Sequence, residues 1–168
     1  PSLFEEQVEH DALMAAHGMS LGAEIGSETY GGYLPALDDY NAGADDYLNM
    51  VTQAKDALKI PVIASINGTT EGGWTGYATE LQDHGADALE LNVYHVAADP
   101  DASAEQVETQ YLRLVEQVRS IVDIPLAVKI GPFFSSPANM ARRLSAAGAD
   151  ALVLFNRFYQ PDIDLATL

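Results

Sequence analysis

The sequence predicts an α/β fold, and within that class a portion, about four βα units, of a (β/α)8 (TIM) barrel. Two observations carry this. From Asp45 onward helical and strand patterns alternate strictly, which favours a parallel sheet. A β-α-β-α unit also occurs twice: Gly85-Ala-Asp-Ala-Leu-Glu-Leu-Asn92 recurs as Gly148-Ala-Asp-Ala-Leu-Val-Leu-Phe-Asn156, and Ile60-Pro-Val62 recurs at nearly the same spacing as Ile124-Pro-Leu126. Units of equal length suit a barrel better than a doubly wound sheet. No Gly-x-Gly-x-x-Gly follows any strand, so the dinucleotide fingerprint is absent from the sequence.

The elements follow in order. Pro1 to Gln7 reads as a loop that follows a strand, and residues 8–20 as a helix with Val8, Ala12, Ala15 and Ala16 on one side. Residues 23–41 are polar and rich in Gly and Tyr, including Tyr30, Tyr33 and Tyr40. They read either as a lid or insertion over a site or as disorder. Residues 1–44 are thus expected to form a loop and helical insertion after a missing strand, and 45–168 the four βα units of a single domain.

Asp45 to Leu58 places Leu48, Val51, Ala54 and Leu58 at helical spacing, with acids in its first turn. Ile60 to Ile66 reads as a strand stopped by Asn67-Gly68. Trp74 to His84 reads as a helix ended by Gly85. Leu89 to Val93 is the next strand. Ser103-Ala-Glu-Gln106 has the form of a capping box and opens a helix with Val107, Tyr111, Leu114, Val118 and Ile121 along one stripe. Leu126 to Ile130 is a buried strand stopped by Gly131-Pro132. Ser136-Pro137 supplies an N-cap and an N1 proline for a helix closing at Gly148. Leu152 to Phe155 is the last strand.

Composition excludes several classes of function. With 48% hydrophobic residues, 168 residues can bury a core of one domain. No cysteine is present, which removes disulfides, thiolate metal sites and a cysteine nucleophile; no metal site is expected. Twenty-five acids against 8 bases give a formal charge of −17, so no basic footprint exists for nucleic acid or an anionic membrane. The acidity reads as a solvated surface or, alternatively, an acidic binding face. No apolar run reaches transmembrane length and no basic signal region is seen, so a cytoplasmic location is expected.

Strand periodicity then nominates a site. Ser65 and Asn67 share one face of their strand, as do Glu90 and Asn92, and Ala127 and Lys129. The same period groups Leu152, Leu154 and Asn156. If these faces point inward, three asparagines and a lysine converge at the C-terminal end of the strands, where barrel chemistry sits. Glu90 would lie one layer below and need a partner, for which Lys129 is the candidate. Asparagines read the edge of a flat heterocycle, and an ammonium stabilises a reduced, anionic cofactor ring. Neither is a good base at neutral pH. The set therefore suggests a planar electron acceptor rather than hydrolysis. The plainer alternative makes the asparagines strand terminators and Lys129 a buried ion-pair partner.

Ile60-Pro-Val-Ile-Ala-Ser-Ile-Asn-Gly68, Gly85 to Asn92, Ile124-Pro-Leu-Ala-Val-Lys-Ile-Gly-Pro-Phe-Phe134 and Leu152-Val-Leu-Phe-Asn-Arg157 together resemble the dihydroorotate dehydrogenases, and more closely the bacterial dihydroorotate dehydrogenase-like proteins. The resemblance spans residues 60–168 and extends to Pro1–Gln7. It implies an FMN-dependent barrel of pyrimidine synthesis that oxidises a dihydropyrimidine, dihydroorotate to orotate. By it, Lys129 contacts the flavin near its N1–C2 carbonyl, Asn92 reaches both flavin and pyrimidine, Asn156 reads the pyrimidine edge, and Asn67 lines the flavin pocket.

The chain departs from that pattern in two places. The family's proton-abstracting Cys or Ser lies three residues after the asparagine of Glu-Leu-Asn; here the loop reads Asn92-Val-Tyr-His-Val-Ala97, so His95 holds that position. Histidine can serve as a base, its ordinary pKa being near 6.5; Tyr94 is the lesser candidate. The family's first strand, the strand that should precede Pro1, and the last two strands with their phosphate grip are also not recognised. The chain is therefore expected to be the middle of a barrel, a piece of a longer protein or one that closes its sheet by association with a second copy, to bind FMN weakly or not at all alone, and to be inactive by itself. Two other readings stay open: a catalytically silent barrel paralogue or association scaffold, and a non-flavin phosphate-binding barrel with a Schiff-base lysine.

Overall fold

A computed structural model describes residues 3–4, 44–68 and 75–157. The sequence-predicted helix over 8–20, the Tyr-rich stretch at 23–41 and residues 158–168 lie outside the described residues. Within them the elements are β1 (Leu3–Phe4), α1 (Ala44–Ala57), β2 (Ile63–Asn67), α2 (Thr75–Asp83), β3 (Ala88–Asn92), α3 (Ala104–Ile121), β4 (Leu126–Ile130), α4 (Pro137–Ala146) and β5 (Ala151–Leu154). The five strands form one parallel sheet in the order β1-β2-β3-β4-β5.

Sequential order distinguishes this sheet from a doubly wound one, whose strand order reverses at a switch point. Right-handed crossovers between successive neighbours carry the helices to one side. Consistent with that, α1 packs on α2, α2 on α3, and α3 on α4. The chain thus has the architecture of a portion of a (β/α)8 barrel.

One strand was not expected. Residues 1–7 read as a loop after a missing strand, yet Leu3 and Phe4 pair in parallel with Ile66 and Asn67. Two residues are too few to show the period-2 pattern by which strands are recognised.

The core lies between sheet and helices. Ala64 and Ile66, Leu89, Leu91 and Val93, and Leu126, Val128 and Ile130 turn toward Tyr47, Leu48 and Val51 of α1, Ala78 and Leu81 of α2, Leu114, Val115 and Val118 of α3, and Met140 and Leu144 of α4. Each fully buried aliphatic side chain stabilises the fold by about 1.5–3 kcal/mol. The α1 stripe is turned from the expected one: Leu58, beyond the helix, is exposed, and Tyr47 is buried instead.

The helix ends largely follow their sequence signals. Ser103 Oγ accepts from the Gln106 N–H (3.2 Å) and Gln106 Oε1 accepts from the Ser103 N–H (2.7 Å), completing the capping box. Ser136 holds the N-cap position before Pro137, but its side chain makes no capping hydrogen bond. Its backbone (φ −141°, ψ 85°) departs from the usual cap conformation.

The repeated Gly-Ala-Asp has a repeated structural job at the N-terminal ends of the strands. Asp87 Oδ2 accepts from the Val62 N–H (2.7 Å), and its Oδ1 pairs with Lys55 (2.5 Å). Asp150 Oδ2 accepts from the Leu126 N–H (2.9 Å) and pairs with Arg119 (3.2 Å). In both copies the aspartate's own N–H returns a bond to the clasped residue's carbonyl, Val62 or Leu126. Each Asp therefore ties the start of one strand to the preceding strand and to the last turn of the helix before that. The glycines enable this. Gly85 and Gly148 take φ of +92° and +115°, and a Cβ on Gly148 would stand 2.5 Å from Arg119 Cγ.

Two outcomes follow for stability. Gly148→Ala should destabilise by about 1–3 kcal/mol, because it combines left-handed strain with a clash against Arg119; chemical denaturation measures this. The hydrogen bond from Lys55, and then that from Val62, holds the Asp87 carboxyl below its ordinary range. A depressed folded pKa contributes stability that is present above about pH 4 and is lost as the pH falls through the folded value. The stability gap between the wild type and Asp87→Asn should therefore be open at pH 7 and narrow steadily below pH 4 in denaturation series.

Candidate functional site

Parallel register decides which side chains share the sheet face turned away from the helices. Asn67 aligns with Asn92 and Asn92 with Lys129, which in turn aligns with Val153. One layer toward the strand starts, Ser65 aligns with Glu90, Glu90 with Ala127, and Ala127 with Ala151. Aligned residues in adjacent parallel strands project to the same face. This face therefore carries an upper layer of two asparagines, a lysine and a valine, over a lower layer of small residues and one carboxylate.

The last strand corrects the expected grouping. Leu152 aligns with Val128 and Leu154 with Ile130, so both lie with the helix-packed rows and not with Lys129. The sequence does not reveal that parity, because Ala151 to Leu154 is apolar at every position.

Lys129 and Glu90 form the anticipated ion pair, Nζ to Oε1 at 3.7 Å, with side chains 31% and 22% exposed. Glu90 Oε1 also accepts from Ser65 Oγ at 3.1 Å. The Ser65 backbone is gripped from α1: Tyr47 Oη donates to its carbonyl (3.1 Å) and accepts from its N–H (2.9 Å). Burial pushes the Tyr47 hydroxyl up, the Ser65 bond opposes that, and the Glu90 charge adds to the rise. Tyr47 thus stays a neutral donor throughout the physiological range.

In the upper layer, Asn92 Nδ2 donates to Asn67 Oδ1. Asn92 Oδ1 is buried with no hydrogen-bond partner among the described residues. An orphaned buried acceptor costs about 1–3 kcal/mol, so this atom is a natural receiver for a ligand N–H or O–H.

Asn156 sits at the end of β5 and is buried. Its N–H donates to the Ile130 carbonyl (2.9 Å) and its Nδ2 to the Val93 carbonyl (3.2 Å). It stitches the ends of β3, β4 and β5 together, and its side-chain nitrogen is already engaged.

His95 and Tyr94 are exposed on the loop after β3. That loop is anchored underneath by Tyr111 of α3, whose buried hydroxyl bonds the His95 backbone; burial pushes this hydroxyl up and the His95 bond partly offsets it. Phe134, from the loop after β4, packs edge-on against Tyr111 with ring centroids 5.3 Å apart.

The structure therefore brings Asn67, Asn92 and Lys129 into one row and Glu90 beneath it. It leaves Asn156 in a structural contact and His95 at the surface. Sequence reasoning missed Tyr47 and Tyr111 as supports of the site. Each is an aromatic hydroxyl on a helix face, which needs some polar partner when buried, but the sequence does not say which.

Curated proteins resemble the chain in sequence over most of its length. The chain is 29% identical over 144 residues to the dihydroorotate dehydrogenase B (NAD(+)) catalytic subunit of Listeria welshimeri, covering 84% of the chain and 47% of that protein. The proteins of the same name from Bacillus cereus and Methanothermobacter thermautotrophicus are 26% and 30% identical, over 84% and 77% of the chain and 46% and 42% of their own lengths. The chain is similar in sequence to dihydroorotate dehydrogenase B. It spans a little under half the length of the curated relatives it matches. No family model matches it.

For a dihydroorotate dehydrogenase-like chain the expected cofactor is a flavin, and the residues present suit one edge of its ring. Such an edge alternates carbonyl acceptors with ring N–H groups. Lys129 supplies a cation for the former, and Asn92 Oδ1 is an unsatisfied acceptor for the latter.

Proposed function

We propose that the protein is an FMN-dependent oxidoreductase of the dihydroorotate dehydrogenase type that oxidises a dihydropyrimidine, dihydroorotate being the first substrate to test. The observation that carries this reading is the row Asn67–Asn92–Lys129 with its unsatisfied Asn92 Oδ1. FMN, when bound, supplies the hydride acceptor. Lys129 holds positive charge at the flavin edge. Asn92 reads a donor there and faces the pyrimidine, and Asn67 fixes the Asn92 amide by accepting from its nitrogen. His95 takes the proton from the substrate carbon next to the one oxidised. Asn156 holds the ends of β3, β4 and β5 in place and offers its remaining amide oxygen to the pyrimidine edge.

The exposure of His95 supports a second reading, a flavin-binding paralogue without dehydrogenase chemistry. A Schiff-base role for Lys129 is disfavoured by its pairing with Glu90, because an ammonium held by a carboxylate is a poor amine nucleophile.

Anaerobic absorbance spectroscopy separates these readings. Dihydroorotate should bleach the flavin band of the FMN-loaded protein. His95→Ala should slow bleaching by about 10²–10⁴-fold with FMN affinity unchanged. Lys129→Ala should weaken FMN binding by about 10- to 100-fold. A flavin band that dihydroorotate leaves intact selects the paralogue; absence of FMN binding by the complete protein rejects the proposal.

A further inference from the structure

Glu90 has no part in the chemistry proposed above, yet its carboxylate is held by two side chains on the inner face. It stands in a layer whose aligned neighbours, Ser65, Ala127 and Ala151, are all small. A carboxylate placed there without partners would be costly, and here it has two. Ser65 Oγ donates to Oε1 at 3.1 Å, and the Lys129 ammonium lies 3.7 Å from the same oxygen. Ser65 is itself clamped at both backbone atoms by the buried Tyr47 hydroxyl. The result is a chain of contacts from helix α1 through Tyr47, Ser65 and Glu90 to the amine that ends on the site.

Geometry gives that chain a purpose. Lys129 has a four-carbon stem with a large rotamer entropy, and a mobile cation is a poor recognition element. It projects from the upper layer, one step above Glu90 on the neighbouring strand, and Ala127 leaves the space below it clear. The carboxylate can therefore hold the ammonium against the sheet face, in line with Asn92, rather than letting it extend into solvent.

We propose that Glu90 is a positioning residue for Lys129, and that Ser65, fixed by Tyr47, is the anchor that orients Glu90. The proposal rests on the flavin reading only for what Lys129 finally touches. Glu90 orders the ammonium before any ligand arrives, and its removal acts on ligand binding through Lys129 alone.

Two measurements test this on the intact protein. In the protein without flavin, NMR relaxation of the Lys129 ammonium should show an ordered group in the wild type, a mobile one in Glu90→Gln and an intermediate one in Ser65→Ala. In FMN titrations, Glu90→Gln should raise the dissociation constant about tenfold in the wild-type background and leave it unchanged in a Lys129→Ala background, the non-additivity expected of residues that act as a unit. A purely structural Glu90 would give equal losses in both backgrounds, and that result overturns the proposal. So does an ammonium equally mobile with and without Glu90. If Lys129 loosens as expected while the wild type takes up no FMN, the flavin reading fails and the positioning role stands.

Discussion

The register of the parallel sheet is the constraint on which the site depends. A one-residue slip of β3 against β4 would exchange Leu89 and Leu91 for Glu90 and Asn92 on the helix-packed face, burying charge and exposing the core. Register is held at the N-terminal strand ends by Asp87 and Asp150, each fastening a strand start to its neighbour and to a basic residue of an earlier helix. With that end locked, strands of similar length deliver their last residues to the opposite end in step. The division matches a barrel's general economy, with stability at one end and chemistry at the other.

Polar residues on the inner face are arranged to keep one acceptor and one cation available. Asn67 consumes the amide nitrogen of Asn92, which leaves its oxygen over. Glu90, itself held by Ser65, engages Lys129 from below. Among the described residues, such a face pairs its one carboxylate with its lysine and is unsatisfied at the buried Asn92 oxygen. It can discriminate between planar ligands, because a molecule lacking a donor at that point leaves the Asn92 oxygen orphaned.

Much of this was legible in the sequence, for identifiable reasons. Strict helix–strand alternation and the repeated Gly-Ala-Asp predicted the architecture, because parallel strands buried by helices read as short apolar runs between caps and glycines. The pairing of Glu90 with Lys129 was also legible, since a carboxylate two residues before a strand end has few other places to turn. Three features were not. Leu3–Phe4 pairs through backbone atoms and carries no pattern. The parity of β5 was hidden by its uniformly apolar residues, so Leu152 and Leu154 were placed on the wrong face. The supports from Tyr47 and Tyr111 are tertiary: each hydroxyl meets a backbone group far away in the chain, and no local spacing encodes that meeting.

The most direct test of the account is a structure of the protein with FMN bound. The account predicts the flavin ring along the row formed by Asn67, Asn92 and Lys129, with a ring N–H donating to Asn92 Oδ1 and the Lys129 ammonium on a ring acceptor. A flavin bound elsewhere, or one that leaves Asn92 Oδ1 without a partner, would contradict it.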